Sequence, residues 1–184
     1  PTNRRAALTV VAGSAARPPI AALDDVIINY LQYKQFDGVA SIVVIDLKTG
    51  REWKMNPDVA FTGMSVMKIP IVIQTYWKWD TEPTPDLIEN INEAVRQSSN
   101  FNANLLLTDL GDGSALRGAQ QLTENLGALG LQNTFMAKAF DQDASVPIIQ
   151  TPANRRTAFN TNPDAYIQST ADDMASLLLM IYEC

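Results

Sequence analysis

The stretch FTGMSVMKIPIVIQTYW, residues 61–77, is apolar almost throughout. A helix of that composition, read over residues 63–79, has no polar face to turn to water and belongs inside a core. A chain of 184 residues is long enough for one domain with such a core. Pro70 has no N–H to give, so the helix has to begin close before it, at about Gly63–Ser65. Two polar residues interrupt the run, Ser65 and Lys68, and they decide what else the helix can do.

The remaining pattern arranges itself around this helix. Residues 1–19 mix arginine, small residues and a proline pair, and read as an extended lead-in or linker. Over residues 20–36 a helical period places Ile20, Leu23, Ile27, Tyr30, Leu31 and Lys34 on one side. Val39–Leu47 is β-branched and apolar, and Lys48-Thr49-Gly50 forms the turn before Arg51–Met55, which together predict a hairpin. Residues 20–56 thus form a helix plus hairpin, and residues 57–184 a mainly helical region. Its helices are expected over residues 63–79, 87–97 after the proline-punctuated turn at 81–86, from about Asn100 behind a serine cap, and 115–130 ending on Gly130. Residues 131–169 carry three prolines and little periodicity, and an irregular segment of that length is usually functional. The last helix starts behind Thr170 as N-cap, with Asp172 and Asp173 in its first turn. The fold class is α+β: an amino-terminal helix and a β-hairpin of an antiparallel sheet, packed on a mainly helical domain.

Composition narrows the chemistry. The chain has no histidine, which excludes a Ser-His-Asp triad, a Cys-His dyad and a histidine-ligated metal. Its one cysteine, Cys184, allows neither an internal disulfide nor a zinc cluster. No metal or other cofactor is expected. The net charge of −6 argues against a nucleic-acid partner, and no apolar run is long enough to span a membrane. Nucleophilic catalysis in such a chain needs a base other than histidine.

Ser65 and Lys68 stand at i and i+3, on one face of a helix start. A serine hydroxyl becomes a nucleophile when a base takes its proton. A lysine serves as that base when apolar surroundings lower its pKa, and Met64, Val66, Met67, Ile69 and Ile71 are the expected surroundings. The helix N-terminus adds free N–H groups suited to an oxyanion. The spacing alone is weak: nine serines and six lysines give about 0.3 such pairs by chance, and a lysine on an apolar helix commonly extends to solvent. Further on, QSSNFNANLLLTDLG sets Ser98 and Asn100 two apart, with Asn104 one turn beyond Asn100 and facing the same way. A helix cap explains one serine there; it does not explain three asparagines within five residues.

Taken together, FTGMSVMKIP and SSNFNANLLL resemble the class A β-lactamase and penicillin-binding group of serine acyl-transfer enzymes, whose motifs are S-x-x-K, S-D-N and K-T-G. The first is Ser65-Val66-Met67-Lys68. The second is Ser98-Ser99-Asn100, with Ser99 where aspartate is usual. NPDAYIQSTADDMASLLLMIYE is similar to the stretch after that group's active-site loop, so the resemblance covers about residues 20–184. It implies that Ser65 is acylated, that Lys68 takes its proton, that Ser98 relays a proton to the leaving nitrogen, and that Asn100, with Asn104, binds the substrate's amide side chain. It also implies a β-lactam or peptidoglycan-type peptide as small-molecule partner, and an extracellular or periplasmic, exported protein.

The departures carry expectations of their own. Lys48-Thr49-Gly50 precedes Ser65 and sits in a hairpin turn, so it is not the third motif. The group's later sheet strands do not occur in this chain, which reads as an amino-terminal portion whose remaining strands come from a continuation of the same protein; Pro1 in place of Met fits either a removed leader or a piece of a longer chain. The segment between the two motifs is short, which lowers one wall of the cleft. No glutamate lies between Glu124 and Glu183 to activate a deacylating water. Asp164 is the nearest carboxylate and reads as a loop-pinning group, so an acyl-enzyme should persist. Besides an acylated hydrolase, two readings stay open: a β-lactamase-like binding or sensing module of the cell envelope that does not turn over, and a glutaminase-like amidohydrolase.

Overall fold

The computed structural model describes residue 20 and residues 23–79 and 82–183. The lead-in read over residues 1–19 lies outside them, as does Cys184. The elements run α1 (Leu23–Tyr33), β1 (Ile42–Ile45), β2 (Glu52–Met55), β3 (Phe61–Thr62), a 3₁₀ turn (Met64–Met67), α2 (Lys68–Lys78), α3 (Pro85–Arg96), α4 (Asn100–Leu110), α5 (Ala115–Ala128), β4 (Phe135–Met136), β5 (Ile167–Ser169) and α6 (Ala171–Glu183).

The apolar stretch is the centre of the core. Met67 and Ile71 are fully buried, and α2 packs on α3, α4 and α5. Pro70 falls in the first turn of α2, where an N–H would have no acceptor within the helix. Leu106 and Leu107 of α4, Ala119, Leu122 and Leu126 of α5, and Leu177 of α6 belong to the same cluster. The α4–α5 contact is close enough to require glycine. A Cβ on Gly118 would stand 1.9 Å from the Leu107 carbonyl oxygen. Gly130, at φ +88°, then turns the chain out of α5.

Each helix start has a local cause. The Thr84 hydroxyl accepts from the Leu87 N–H at 3.3 Å and Pro85 takes the first helical position, so α3 begins two residues before the expected 87. Ser99 caps α4 by accepting from the Asn102 N–H at 3.2 Å. Thr170 caps α6 by accepting from the Asp173 N–H at 3.3 Å.

The hairpin forms as the turn chemistry predicts. Asp46 Oδ1 accepts from the Lys48 N–H at 2.9 Å, its Oδ2 accepts from the Thr49 hydroxyl at 2.6 Å, and Gly50 takes φ +67°. Ile42 pairs with Met55 and Ile45 with Glu52. The stripe on α1 is present, with Leu23, Ile27 and Leu31 half-buried, while Tyr30 is exposed and the Trp53 indole donates to Asp24 at 2.7 Å.

The segment 131–169 is not wholly irregular. It contributes β4 and β5, which join β3 in an antiparallel sheet ordered β3-β5-β4. These strands are two or three residues long, too short to show a period of two. The sheet matters for the site, because the Gly63 N–H donates to the Ile167 carbonyl at 2.9 Å and fixes the chain just before Ser65.

Candidate active site

The 3₁₀ turn presents Ser65 at the surface while the next turn carries Lys68 inward. Lys68 is 3% exposed. Its Nζ lies 3.2 Å from Ser65 Oγ and 2.7 Å from Asn100 Oδ1. Ser98, at the turn between α3 and α4, donates its hydroxyl to Ser65 Oγ at 2.7 Å. One oxygen thus meets a buried lysine from its own helix and a second hydroxyl from 33 residues away. Capping assigns the two serines separate tasks: Ser99 holds the helix, and Ser98 is left to reach Ser65.

Burial pushes the Lys68 pKa below the ordinary lysine value, and the negative charge of Asp141 works against that shift. The apolar cover differs from the expected one. Met64 and Val66 are exposed, whereas Met67 and Ile71 are buried. The principal cover over the amine is the ring of Phe140, whose centroid lies 4.5 Å from Nζ. Sequence reasoning missed Phe140 and Asp141, since both lie in the irregular segment and no spacing relates them to Ser65.

Asp141 Oδ2 accepts from Asn100 Nδ2 at 2.8 Å. Asn100 is therefore held at both ends, with its oxygen on Lys68 and its nitrogen on Asp141. Asn104, expected to bind the substrate's amide side chain beside Asn100, meets the loop. Its Nδ2 donates to the Phe140 carbonyl at 2.8 Å and its Oδ1 accepts from the Phe140 N–H at 3.0 Å. The side chain clasps one loop residue by both backbone groups and so holds the loop. It does share a face with Asn100, but it meets the loop while Asn100 meets the lysine.

Asp164 is the loop pin that its sequence context suggests. Its Oδ1 accepts from the N–H groups of Tyr166 at 2.7 Å and Ile167 at 3.0 Å. It is not the carboxylate closest in bonding to the Ser-Lys pair; Asp141 is, through Asn100. Among the described residues seven non-glycine positions have positive φ, and three of them are at this site: Met64 (+43°), Ser98 (+55°) and Asp141 (+54°). Each such conformation costs about 1–3 kcal/mol, and such strain gathers where geometry is held for a purpose. A surface groove of about 320 Å³ lies elsewhere, at Trp77, Lys78 and Asp112, and holds no serine–base pair.

The family model described as the β-lactamase enzyme family matches residues 20–84, a segment that includes Ser65 and Lys68. Among solved structures, an ancestral class A β-lactamase (GNCA) superposes with a TM-score of 0.59 at 21% identity, over 83% of this chain and 61% of its own. A tryptophan-to-aspartate mutant of the class A β-lactamase of the last common ancestor of Gram-negative bacteria gives 0.55 at 21% identity, over 83% and 60%. The likeness to the β-lactamase enzyme family is carried by residues 20–84. It spans about three-fifths of the length of the class A structures it matches. A comparison with curated protein sequences finds no match. The fold is thus that of class A β-lactamases, α+β with antiparallel strands beside a helical region, over part of their length. No described helix is long and apolar enough to cross a membrane.

Proposed function

We propose that this β-lactamase-like protein is a serine acyl-transfer hydrolase, acylated on Ser65 by β-lactams or D-Ala-D-Ala-type peptides at the cell envelope, outside the cytoplasm. The observation that carries this reading is the pair of contacts on Ser65 Oγ, from Lys68 Nζ at 3.2 Å and from Ser98 Oγ at 2.7 Å. In the neutral state Lys68 accepts the Ser65 proton while Oγ attacks the carbonyl carbon. The C–N bond breaks, and Ser98 passes a proton to the departing nitrogen. The Ser65 N–H, in the first turn of the helical segment, faces the developing oxyanion. Asn100 offers the substrate amide its remaining N–H, since only one hydrogen of Nδ2 is used on Asp141.

A chromogenic cephalosporin tests the reading. Ring opening should occur with at least one equivalent per protein molecule and vanish in Ser65→Ala. Equal ring opening by the wild type and Ser65→Ala would dismiss Ser65 as nucleophile. Release of ammonia from glutamine, lost in the same variant, would favour the amidohydrolase reading instead.

A further inference from the structure

The C-terminal end of α2 borders the surface groove of about 320 Å³, which lies between α2, α5 and the end of α4. With 11 residues α2 is about 16 Å long, so the groove and the Ser65–Lys68 pair stand at opposite ends of one helix. Helical spacing builds its two sides. Gln74, Trp77 and Lys78 share one face of α2 at i, i+3 and i+4, and Gln121 and Asn125 share one face of α5 at i and i+4. Lys78 has no hydrogen left for a ligand. Its three N–H groups meet the Asp109 carbonyl at 2.6 Å, the Leu110 carbonyl at 3.3 Å and Asp112 Oδ1 at 2.7 Å. It thereby satisfies carbonyls at the end of α4 and neutralises the carboxylate beside it. The amides, by contrast, keep bonding capacity. Gln121 has no hydrogen-bond partner among the described residues. Asn125 donates one Nδ2 hydrogen to Gln74 Oε1 at 3.2 Å and keeps its Oδ1 and its second hydrogen. Trp77, 42% exposed, adds an indole ring.

We propose that this groove binds a neutral saccharide, against the Trp77 ring and between the amides of Gln121 and Asn125. A sugar ring has two kinds of surface that match these groups. Its C–H face is apolar and packs on an aromatic ring. Its rim carries hydroxyls, each both donor and acceptor, and a side-chain amide likewise offers both. Asp112 Oδ2 remains as a further acceptor for a hydroxyl. An anionic ligand would find no free ammonium here and would lie beside Asp112. A wholly apolar ligand would leave the amides buried without partners. The volume is at the small end of ligand sites and suits a ligand of one or two sugar rings. Binding there is independent of acylation: none of the groove's side chains hydrogen-bonds to Ser65, Lys68, Ser98 or Asn100.

Saturation-transfer NMR on the whole chain, with maltose and with di-N-acetylchitobiose as probes, tests this. At least one of the two sugars should bind saturably, with a Kd of about 1–10 mM. Trp77→Ala should weaken that binding about tenfold or more, and Trp77→Phe, which keeps a ring, should retain most of it. Gln121→Ala removes a half-buried side chain with no partner in the protein, and should weaken binding several-fold without disturbing the fold. Glucose 6-phosphate and a neutral dipeptide amide should bind more weakly than the sugar. Absence of saturable binding by both sugars overturns the proposal. Binding left unchanged by Gln121→Ala overturns it too, and does so even if Trp77→Ala fails to fold. Tighter binding of the sugar phosphate or of the dipeptide amide would replace the saccharide with that ligand and equally overturn it. Ring opening of the chromogenic cephalosporin should be the same in Gln121→Ala as in the wild type, so the groove and the Ser65 site can fail separately.

Discussion

At the residue scale, acylation depends on the transfer of one proton from Ser65 to Lys68. Lys68 can accept it from Ser65 only when neutral, and burial lowers the lysine pKa. The neutral fraction grows as pH rises through that lowered value, so the acylation rate should climb with pH and then level off. A flat acylation profile from pH 5 to 9 would contradict the role given to Lys68. The Asp141 charge holds the lysine pKa up, so Asp141→Asn should move the rise to lower pH; a shift to higher pH would contradict the assigned electrostatics. Lys68→Ala should slow acylation about 10²–10⁴-fold, read by stopped-flow ring opening. Ser65, Lys68, Ser98 and Asn100 were legible as candidates because their spacings repeat a motif. Phe140 and Asp141 were not, since they approach Lys68 through a loop whose path is set by the Asn104 clasp. Asn104 itself shows the limit of face-sharing arguments: one turn from Asn100 it finds a different neighbour.

At the scale of elements, caps and close contacts explain more than propensity. Ser98 and Ser99 were interchangeable on the page of sequence as caps, and only the α4 geometry assigns the cap to Ser99. Ser99→Ala should therefore cost about 1 kcal/mol of stability in urea unfolding and leave Ser65 acylation intact. Loss of acylation in a folded Ser99→Ala protein would contradict that division of labour. Gly118→Ala meets the Leu107 carbonyl at 1.9 Å and must push α4 from α5. A loss of about 1–3 kcal/mol or more is expected, together with slower acylation, because α4 carries Asn100 and Asn104. The helices and the hairpin were readable from period and turn residues. The sheet β3-β5-β4 was not, because its strands are recognisable only by their partners, Phe61 with Ser169 and Phe135 with Gln168. Once formed, it holds the chain at Gly63 and so sets where Ser65 emerges.

Across the whole molecule, an apolar helix serves as core and as carrier of the chemistry. The same burial that packs Met67 and Ile71 removes Lys68 from water, so stability and reactivity share one cause. Composition had already ruled out histidine chemistry, and the fold supplies the surroundings in which a lysine can take its place. The buried end of α6 ties the loop segment to this core: Asp173 accepts from the Asn133 N–H at 2.9 Å, and burial raises its pKa. The most direct test of the central claim is peptide-mapped mass spectrometry after exposure to a penicillin. The account predicts a single mass increment of one intact penicilloyl group, confined to the peptide containing Ser65 and absent in Ser65→Ala. An unmodified protein at high dose, or an adduct on any other residue, would contradict it.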